Sequence, residues 1–87
     1  MPCVYIIKSD KNNRCYIGST TDIIRRLDEH NIGKTPSTRY LGPWKIVFTQ
    51  EFDLLSDARR MERKLKSFKS RKIIDRIVTT GILNLKV

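Results

Sequence analysis

The residues of this sequence best suited to chemistry on a phosphate group are two tyrosines, an arginine, a histidine and a glutamate. Tyr5 and Tyr16 lie eleven positions apart in two short apolar runs, Arg26 and His30 lie four apart, and Glu62 follows in a later basic segment. An arginine binds phosphate oxygens bidentately, and a carboxylate supplies one oxygen ligand to Mg²⁺ where phosphate supplies others. Imidazoles and phenols position water or transfer protons. These residue types favour phosphate chemistry if the fold brings them together.

Each of these residues also has an ordinary structural interpretation. The tyrosines fit as strand residues, Arg26 fits a surface position, and a single histidine is more often structural than catalytic. Glu62 precedes Lys66 by four positions, the spacing of a helical ion pair. On a helix, Glu62 lies roughly 80° from the centre of the apolar stripe, which predicts a partly buried carboxylate at the edge of that stripe.

The hydrophobic pattern predicts the elements that must position these side chains. Two runs rich in Val, Ile and Tyr around an Asp/Asn cluster are typical of a β-hairpin, and later segments show helical spacing. We expect strands at residues 3–8, 14–19 and 44–52, and helices at 22–31, 56–68 and 71–79. The predicted fold class is α+β: a small three-stranded, mostly antiparallel sheet, made of an N-terminal hairpin plus a third strand and flanked by helices. Residues 1–87 are too few for two domains, so we expect one.

The first strand is predicted to be central in the sheet. Alternation places Tyr5 on one face with Cys3 and Ile7, and Val4 and Ile6 on the other. Both faces are largely apolar, which indicates that both are covered.

Two further features concern the elements that follow the first strand. Gly18 in the second strand leaves room for a close approach to the backbone. In the first helix we expect Ile23, Ile24 and Leu27 to form the apolar stripe, with Arg26 and His30 on a face beside it.

Charge predicts the kind of partner. Eighteen Lys and Arg against nine Asp and Glu give a net charge of +9, which favours nucleic acid over a merely solvated basic surface. No run approaches the roughly 20 apolar residues of a membrane span, and a signal peptide is not recognisable, so we expect a cytoplasmic protein without membrane contact. Cys3 and Cys15 cannot form a zinc set with one histidine and are expected to be free thiols.

The order of these residues resembles that of the GIY-YIG nuclease family. The two motifs stand here as Cys3-Val4-Tyr5 and Tyr16-Ile17-Gly18. The resemblance continues through Arg25-Arg26-Leu27, Glu29-His30-Asn31 and Glu62-Arg63-Lys64, covers about residues 3–68 and is closest to small stand-alone members. Cys3 and Val4 replace the glycine and isoleucine of the first motif, but both are strand residues, so the tyrosine keeps its position.

The resemblance implies a metal-dependent DNA endonuclease acting in repair, recombination or mobile-element processing. A single Mg²⁺ or Mn²⁺ would be held by Glu62. The implied catalytic residues are Tyr5, Tyr16, Arg26, His30 and Glu62, and either tyrosine would be the base, with its pKa lowered by nearby cations and the metal. Residues expected to contact the DNA backbone are Lys34, Arg39, Tyr40, Lys45, Arg63 and Lys66. A protein partner would supply specificity, since the chain has no second DNA-binding domain.

Other functions compete with this interpretation. A non-catalytic basic nucleic-acid-binding module would share the charge and the fold, but would not need the full set of reactive side chains. Glu62-Arg63-Lys64 spells the E-x-K of another nuclease type, but the aspartate that this type requires is missing upstream. A small ribosome-associated basic protein would leave the order of the motifs unexplained.

Asn84 matches an asparagine found near the end of the domain in some GIY-YIG proteins.

Overall fold

The computed structural model describes residues 1–36, 38–68 and 71–81. These residues form three strands and three helices in the order ββαβαα. The elements are β1 (Cys3–Ser9), β2 (Cys15–Thr20), α1 (Ile23–Asn31), β3 (Trp44–Glu51), α2 (Leu55–Phe68) and α3 (Arg71–Thr80). Each predicted element is present with ends that differ by at most one residue, and the α+β class is confirmed. The single-domain prediction for residues 1–87 includes a C-terminal tail outside the described residues, and it stays a prediction.

The sheet has the order β2-β1-β3 with antiparallel pairing throughout, so β1 is central as predicted. Val4 and Ile6 face one apolar cluster, and Tyr5 and Ile7 face another. All four side chains are buried, because helices or loops cover both faces of the central strand. The predicted alternation along β1 is therefore confirmed.

A β-bulge in β3 divides that strand between the two clusters. Ile6 pairs with Phe48 and Ile7 with Ile46, which leaves Val47 without a partner on β1. Without the extra residue, positions 44 and 48 would share one face. With it, Trp44 packs beside Tyr5 while Phe48 packs beside Val4. The sequence pattern contained no signal for this bulge.

Helix α1 covers the face of the sheet that carries Tyr5, and α2 and α3 cover the other. Ile23 and Leu27 pack against Tyr5 as expected, but Ile24 is 68% exposed, so its assignment to the apolar stripe was wrong. The buried side of α1 continues through His30, with Arg26 half-buried beside it. The inward face of this helix is thus the face that carries the reactive residues.

Helices α2 and α3 supply the apolar packing of the opposite face. Ala58 and Leu65 of α2 and Ile74 and Ile77 of α3 are buried, and the last three pack in the cluster that contains Val4 and Ile6. Within residues 1–36, 38–68 and 71–81, we find no helix with the length and apolar character that a membrane crossing requires.

The two cysteines lie at opposite ends of the hairpin. Cys3 pairs with Thr20 and Cys15 pairs with Lys8, and both thiols are free, as expected. Burial raises the pKa of the Cys3 thiol, which favours an unreactive, protonated side chain.

Gly18 lies directly under the ring of Tyr5, its partner across the hairpin. A Cβ atom at position 18 would overlap the phenol of Tyr5, because the two would be much closer than van der Waals contact allows. The close approach predicted at Gly18 is therefore that of a neighbouring side chain. It lets the phenol of Tyr5 lie flat against β2 and reach α1.

Gly18→Ala is expected to destabilise the protein by about 1–3 kcal/mol, because the Tyr5 ring must leave its place. Urea unfolding followed by circular dichroism measures the change. Gly42→Ala is the matched control, since a Cβ there would first meet other atoms at 3.5 Å. Equal stabilities of the two variants would contradict the close approach.

Candidate active site

A chain of hydrogen bonds begins at the hydroxyl of Tyr5 and runs through His30 into the loop before β3. The hydroxyl lies 2.8 Å from His30 Nε2, and His30 Nδ1 lies 2.8 Å from Thr38 Oγ1. Trp44 Nε1 then donates to the carbonyl of Thr38 at 3.2 Å. Tyr5, His30 and Thr38 are each 1% exposed, so strand, helix and loop meet at a buried polar core.

The donor in each of these hydrogen bonds can be assigned by starting from Thr38. The Thr38 hydroxyl donates to the carbonyl of Thr35 at 3.3 Å, so it accepts from His30 Nδ1–H. The lone pair of a neutral His30 is then on Nε2, where it accepts the hydrogen bond from the Tyr5 hydroxyl. Thr38 therefore fixes the tautomer that makes His30 a proton acceptor towards Tyr5.

Burial shifts both partners towards their neutral forms. The pKa of His30 is lowered to about 4, first by burial and then by the charge of Arg26, against a smaller opposing effect of Glu29. The pKa of Tyr5 is raised to about 12, because burial outweighs the hydrogen bond and the charge of Arg26. Arg26 lowers the pKa of Tyr5, as expected of a nearby cation, but the net shift is upward. Desolvation of the phenolate is the larger effect.

Arg26 links the Tyr5–His30 pair to the edge of the cleft beside it. Its Nη1 donates to Glu29 Oε1 at 3.0 Å, and a hydrogen bond between its guanidinium and Tyr5 raises the pKa of Arg26. About a third of the side chain is exposed. Arg26 is thus held by two partners while it still faces solvent, which suits a group that binds an anion.

Tyr16 completes this side of the site. Its ring packs against the imidazole of His30 with a centroid distance of 5.0 Å. The ammonium of Lys66 lies 5.6 Å from the centroid of the Tyr16 ring, a cation–π contact. Because β2 is an edge strand, Lys66 reaches around it from the helix layer behind the sheet.

Glu62 approaches the site from that second layer. Its Oε1 accepts from the Ser19 hydroxyl at 2.5 Å, and its Oε2 accepts from Lys66 Nζ at 2.7 Å. The side chain is 21% exposed, as its place at the stripe border predicted. The helical ion pair and the contact with the sheet therefore both exist. The charge of Glu62 has a small raising effect on the pKa of Tyr5.

The donor set fits a weakly held divalent ion rather than a preformed metal site. Among residues 1–36, 38–68 and 71–81, no three His, Cys, Asp or Glu side chains are grouped to hold a metal ion. Mg²⁺ needs only one or two carboxylates when substrate phosphate and water supply the other ligands. The carboxylate of Glu62 keeps acceptor capacity beyond its two hydrogen bonds.

A cleft of about 260 Å³ opens where the end of β2 lies between α1 and α2. It lies beside both halves of the site, since Ser19 binds Glu62, and Arg26 lies one turn of α1 before His30, the hydrogen-bonding partner of Tyr5. The lining residues are Ser19, Thr20, Thr21, Arg25, Arg26, Glu29, Leu55 and Arg59. Three arginines against one glutamate make the cleft suited to phosphate.

The residues predicted to contact DNA occupy different places. Lys34, Arg39 and Tyr40 are exposed in the segment after α1, and Arg63 is exposed on α2. Lys45 lies on β3, across the sheet from the site, and its Nζ is 3.4 Å from Asp10 Oδ1. The structure thus does not bring Lys45 to the reactive residues, whereas it does bring Lys66. Asn84 lies outside the described residues.

The residues that support the reactive groups were not identified from the sequence. Thr38 and Ser19 have ordinary turn and strand compositions around them, and the contacts with His30 and Glu62 span 8 and 43 positions. Arg25 and Arg59 also line the cleft. Arg25 stands in the motif Arg25-Arg26-Leu27, although no role was predicted for it, whereas Arg59 is indistinguishable in sequence from the other basic residues of its helix.

The fold and the site define a small α+β domain in which each strand of a hairpin contributes one tyrosine to a cluster with arginine, histidine and glutamate. The family model for the GIY-YIG catalytic domain matches residues 1–73. The chain belongs to this family, as its sequence motifs predicted, and it therefore carries the domain of a nuclease family.

The chain is similar to several named proteins, and a structure has been solved for one of those described next. The chain is 39% identical over 70 residues to UPF0213 protein BH0048 of Halalkalibacterium halodurans, covering 79% of this chain and 73% of the relative. It is 39% identical over 64 residues to UPF0213 protein VNG_2274C of Halobacterium salinarum, covering 72% and 82%. The solution NMR structure of protein BH0048, given there as from Bacillus halodurans, superposes with a TM-score of 0.57 at 34% identity, covering 92% of this chain and 85% of that one. These names state a family and no reaction.

We expect the His30 ring to titrate with a pKa of about 4 in an NMR pH series. His30 is the single histidine of the chain, so one ring resonance reports it directly. Because the folded pKa lies below the unfolded value of about 6.5, the unfolded state binds the proton first. Stability is therefore retained above pH 6.5 and lost as pH falls towards 4, by up to about 3 kcal/mol.

His30→Gln is the matched variant for the stability measurement. Urea unfolding at pH 7 and pH 5 should show a smaller pH-dependent loss in this variant than in the natural protein. A ring pKa near 6.5, or identical losses in both proteins, would contradict the neutral, buried histidine.

Proposed function

We propose that the protein is a metal-dependent DNA endonuclease that hydrolyses a phosphodiester bond. One observation carries the proposal. Tyr5 and His30 are hydrogen-bonded on one layer, Glu62 of the other layer binds Ser19, and both Ser19 and Arg26 line a cleft with three arginines. Such an activity would belong to DNA repair, recombination or mobile-element processing.

The cleft would hold the phosphate that is cut. Arg26 is preoriented by Glu29 and Tyr5, and the planar guanidinium still has donors for two phosphate oxygens. Arg25 and Arg59 approach from the helices on either side of the cleft. Charge that builds on the phosphate during attack would be stabilised by Arg26, whose position requires no reorganisation.

Glu62 would hold the divalent ion, together with phosphate oxygens and water. Mg²⁺ or Mn²⁺ bound there would polarise the phosphate and stabilise the leaving oxygen. Ser19 orients the carboxylate through its hydrogen bond, and Lys66 neutralises it in the absence of the ion. Since Glu62 is a single ligand, the phosphate completes the binding site.

Tyr5 and His30 would take the proton from the attacking water. The oxygen of water forms a bond to phosphorus while its proton passes to the Tyr5 oxygen, and the Tyr5 proton passes to His30 Nε2. The bond from phosphorus to the leaving oxygen breaks, and that oxygen is protonated from solvent. A concerted transfer avoids a free phenolate, which the pKa of about 12 disfavours. The anionic phosphate in the cleft would stabilise the imidazolium of His30, which the pKa of about 4 disfavours in the free protein. Tyr16 has no such acceptor for its proton among its described contacts.

Glu62→Gln and Arg26→Gln should each lower the cleavage rate of a flapped or branched DNA at least about 100-fold, while DNA affinity changes little. Single-turnover gel assays with Mg²⁺ and anisotropy measurements without it separate the two effects. Glu51→Gln on β3 and Arg76→Gln on α3 are exposed controls that should cut normally. Normal cleavage by either site variant would sink the assignment, and binding without any cleavage by the natural protein would favour the non-catalytic module.

Chelation of divalent ions should abolish cleavage, and added Mg²⁺ or Mn²⁺ should restore it. Because one carboxylate is a poor site by itself, we expect calorimetry to detect Mn²⁺ binding more tightly with an uncleavable phosphorothioate DNA than with the protein alone. Glu62→Gln should remove that difference. Equally tight binding with and without DNA would point to a preformed metal site elsewhere in the chain.

A further inference from the structure

A second cavity lies on the other side of His30, between the hairpin end and the segment that follows α1. It has a volume of about 440 Å³, and the residues that line it include Lys11, His30, Asn31, Ile32, Arg39 and Tyr40. His30, although almost completely buried, is thus both a lining residue of this cavity and the hydrogen-bonding partner of Tyr5. A ligand in the cavity would therefore lie next to the proposed site of cleavage.

Tyr40 is displayed at the rim of this cavity in an unusual way. The residue is 84% exposed, although tyrosine has a large apolar ring. Its backbone has a φ of +68°, in the left-handed region that an aromatic residue seldom adopts and that costs free energy. An exposed ring on a strained backbone gains nothing for the core, which points to a role in binding.

The segment around Tyr40 is fixed at several points. The Ser9 hydroxyl donates to the carbonyl of Leu41 at 2.5 Å, and Lys11 Nζ donates to the carbonyl of Tyr40 at 3.3 Å. Arg39 Nε donates to the carbonyl of Gly33 at 2.8 Å. These bonds tie the segment to both the hairpin and the end of α1, so the backbone that carries Tyr40 is held in place before any ligand arrives. Preorganisation of this kind lowers the entropic cost of binding.

The charge of the cavity identifies the ligand. Lys11 and Arg39 are cations, and within residues 1–36, 38–68 and 71–81 no carboxylate lines the cavity. An exposed aromatic ring between cations is the arrangement that binds single-stranded nucleic acid, in which bases stack on the ring and phosphates meet the cations. In a paired duplex the faces of the bases are covered by their neighbours, and the ring could not reach them.

We propose that Tyr40 stacks on an unpaired nucleobase, and that the substrate of the adjacent site is DNA with unpaired nucleotides next to the bond that is cut. The specificity for a strand end, flap or gap would then come from this cavity. This inference rests on the proposed function in one respect, that the bound DNA is also cut. The binding site itself can be tested without cleavage.

The test compares two labelled DNAs in chelator, so that no bond is cut. One is a fully paired duplex, and the other is the same duplex with an unpaired flap that contains 2-aminopurine. The natural protein should bind the flapped DNA more tightly and quench the 2-aminopurine fluorescence by stacking. Tyr40→Phe should behave the same way.

Tyr40→Ala should lose about 5- to 150-fold in affinity for the flapped DNA, the loss expected for one base–aromatic stack, and should leave duplex binding unchanged. Alanine at this position has the same unfavourable backbone as tyrosine, so the comparison isolates the ring. Ile24→Ala is the matched control, because Ile24 is an exposed apolar residue on α1 that does not line the cavity.

Each outcome separates this inference from the proposed function. Equal affinity of Tyr40→Ala and the natural protein for the flapped DNA, or absence of quenching, would overturn the stacking site even if the protein cuts DNA. Loss of flap binding in Tyr40→Ala supports the site even if the natural protein cuts nothing. A stronger Tyr40-dependent preference for an RNA strand of the same sequence would overturn the assignment to DNA.

Discussion

The buried hydrogen bond between Tyr5 and His30 is the contact on which the rest of the site depends. It joins the central strand to α1, and it exists because Gly18 leaves space for the phenol on the neighbouring strand. A buried polar group without a partner costs about 1–3 kcal/mol. Each buried polar atom that follows in the series of hydrogen bonds therefore needs a partner of its own. That requirement extends the chain to Thr38 and Trp44, and thereby fixes the segment between α1 and β3. The geometry of the candidate site and the conformation of the loop thus have one cause.

The two faces of the sheet have different roles: one carries the main apolar core, and the other carries most of the candidate site. Behind the sheet, Val4, Ile6 and Leu65 form an apolar cluster with α3 that contains none of the proposed catalytic side chains. In front of it, the core is aromatic and polar. Glu62 belongs to the rear layer by its helix and binds the edge strand β2 through Ser19, while Lys66 of the same helix lies over the ring of Tyr16 on the front face. A further strand beside β2 would cover that edge, so the small size of the sheet is a condition of the site.

The sequence was sufficient to predict the helices and strands, because the hydrophobic patterns that indicate them are local. Alternation in residues 3–8 and helical spacing in α2 need no long-range information, and both were confirmed. Ile24 was misassigned because an apolar residue was assumed to face inward, whereas the sheet under α1 presents tyrosines and selects Arg26 and His30. The bulge at Val47, the tautomer set by Thr38 and the raised pKa of Tyr5 depend on contacts between distant segments. The family motifs indicated which residues matter, but not how burial would tune them.

Energetics helps to weigh catalysis against simple DNA binding. Burial of His30 in its neutral form and of the Tyr5 hydroxyl carries desolvation costs that leucine and phenylalanine at the same positions would avoid. A basic module that only binds backbone phosphates needs surface cations, which this chain has on every helix, and gains nothing from a proton acceptor under its surface. The buried pair is explained more directly by proton transfer. The same reasoning applies to Glu62, a negative charge beside an arginine-lined cleft, where a module selected for phosphate affinity alone would place a neutral or cationic residue.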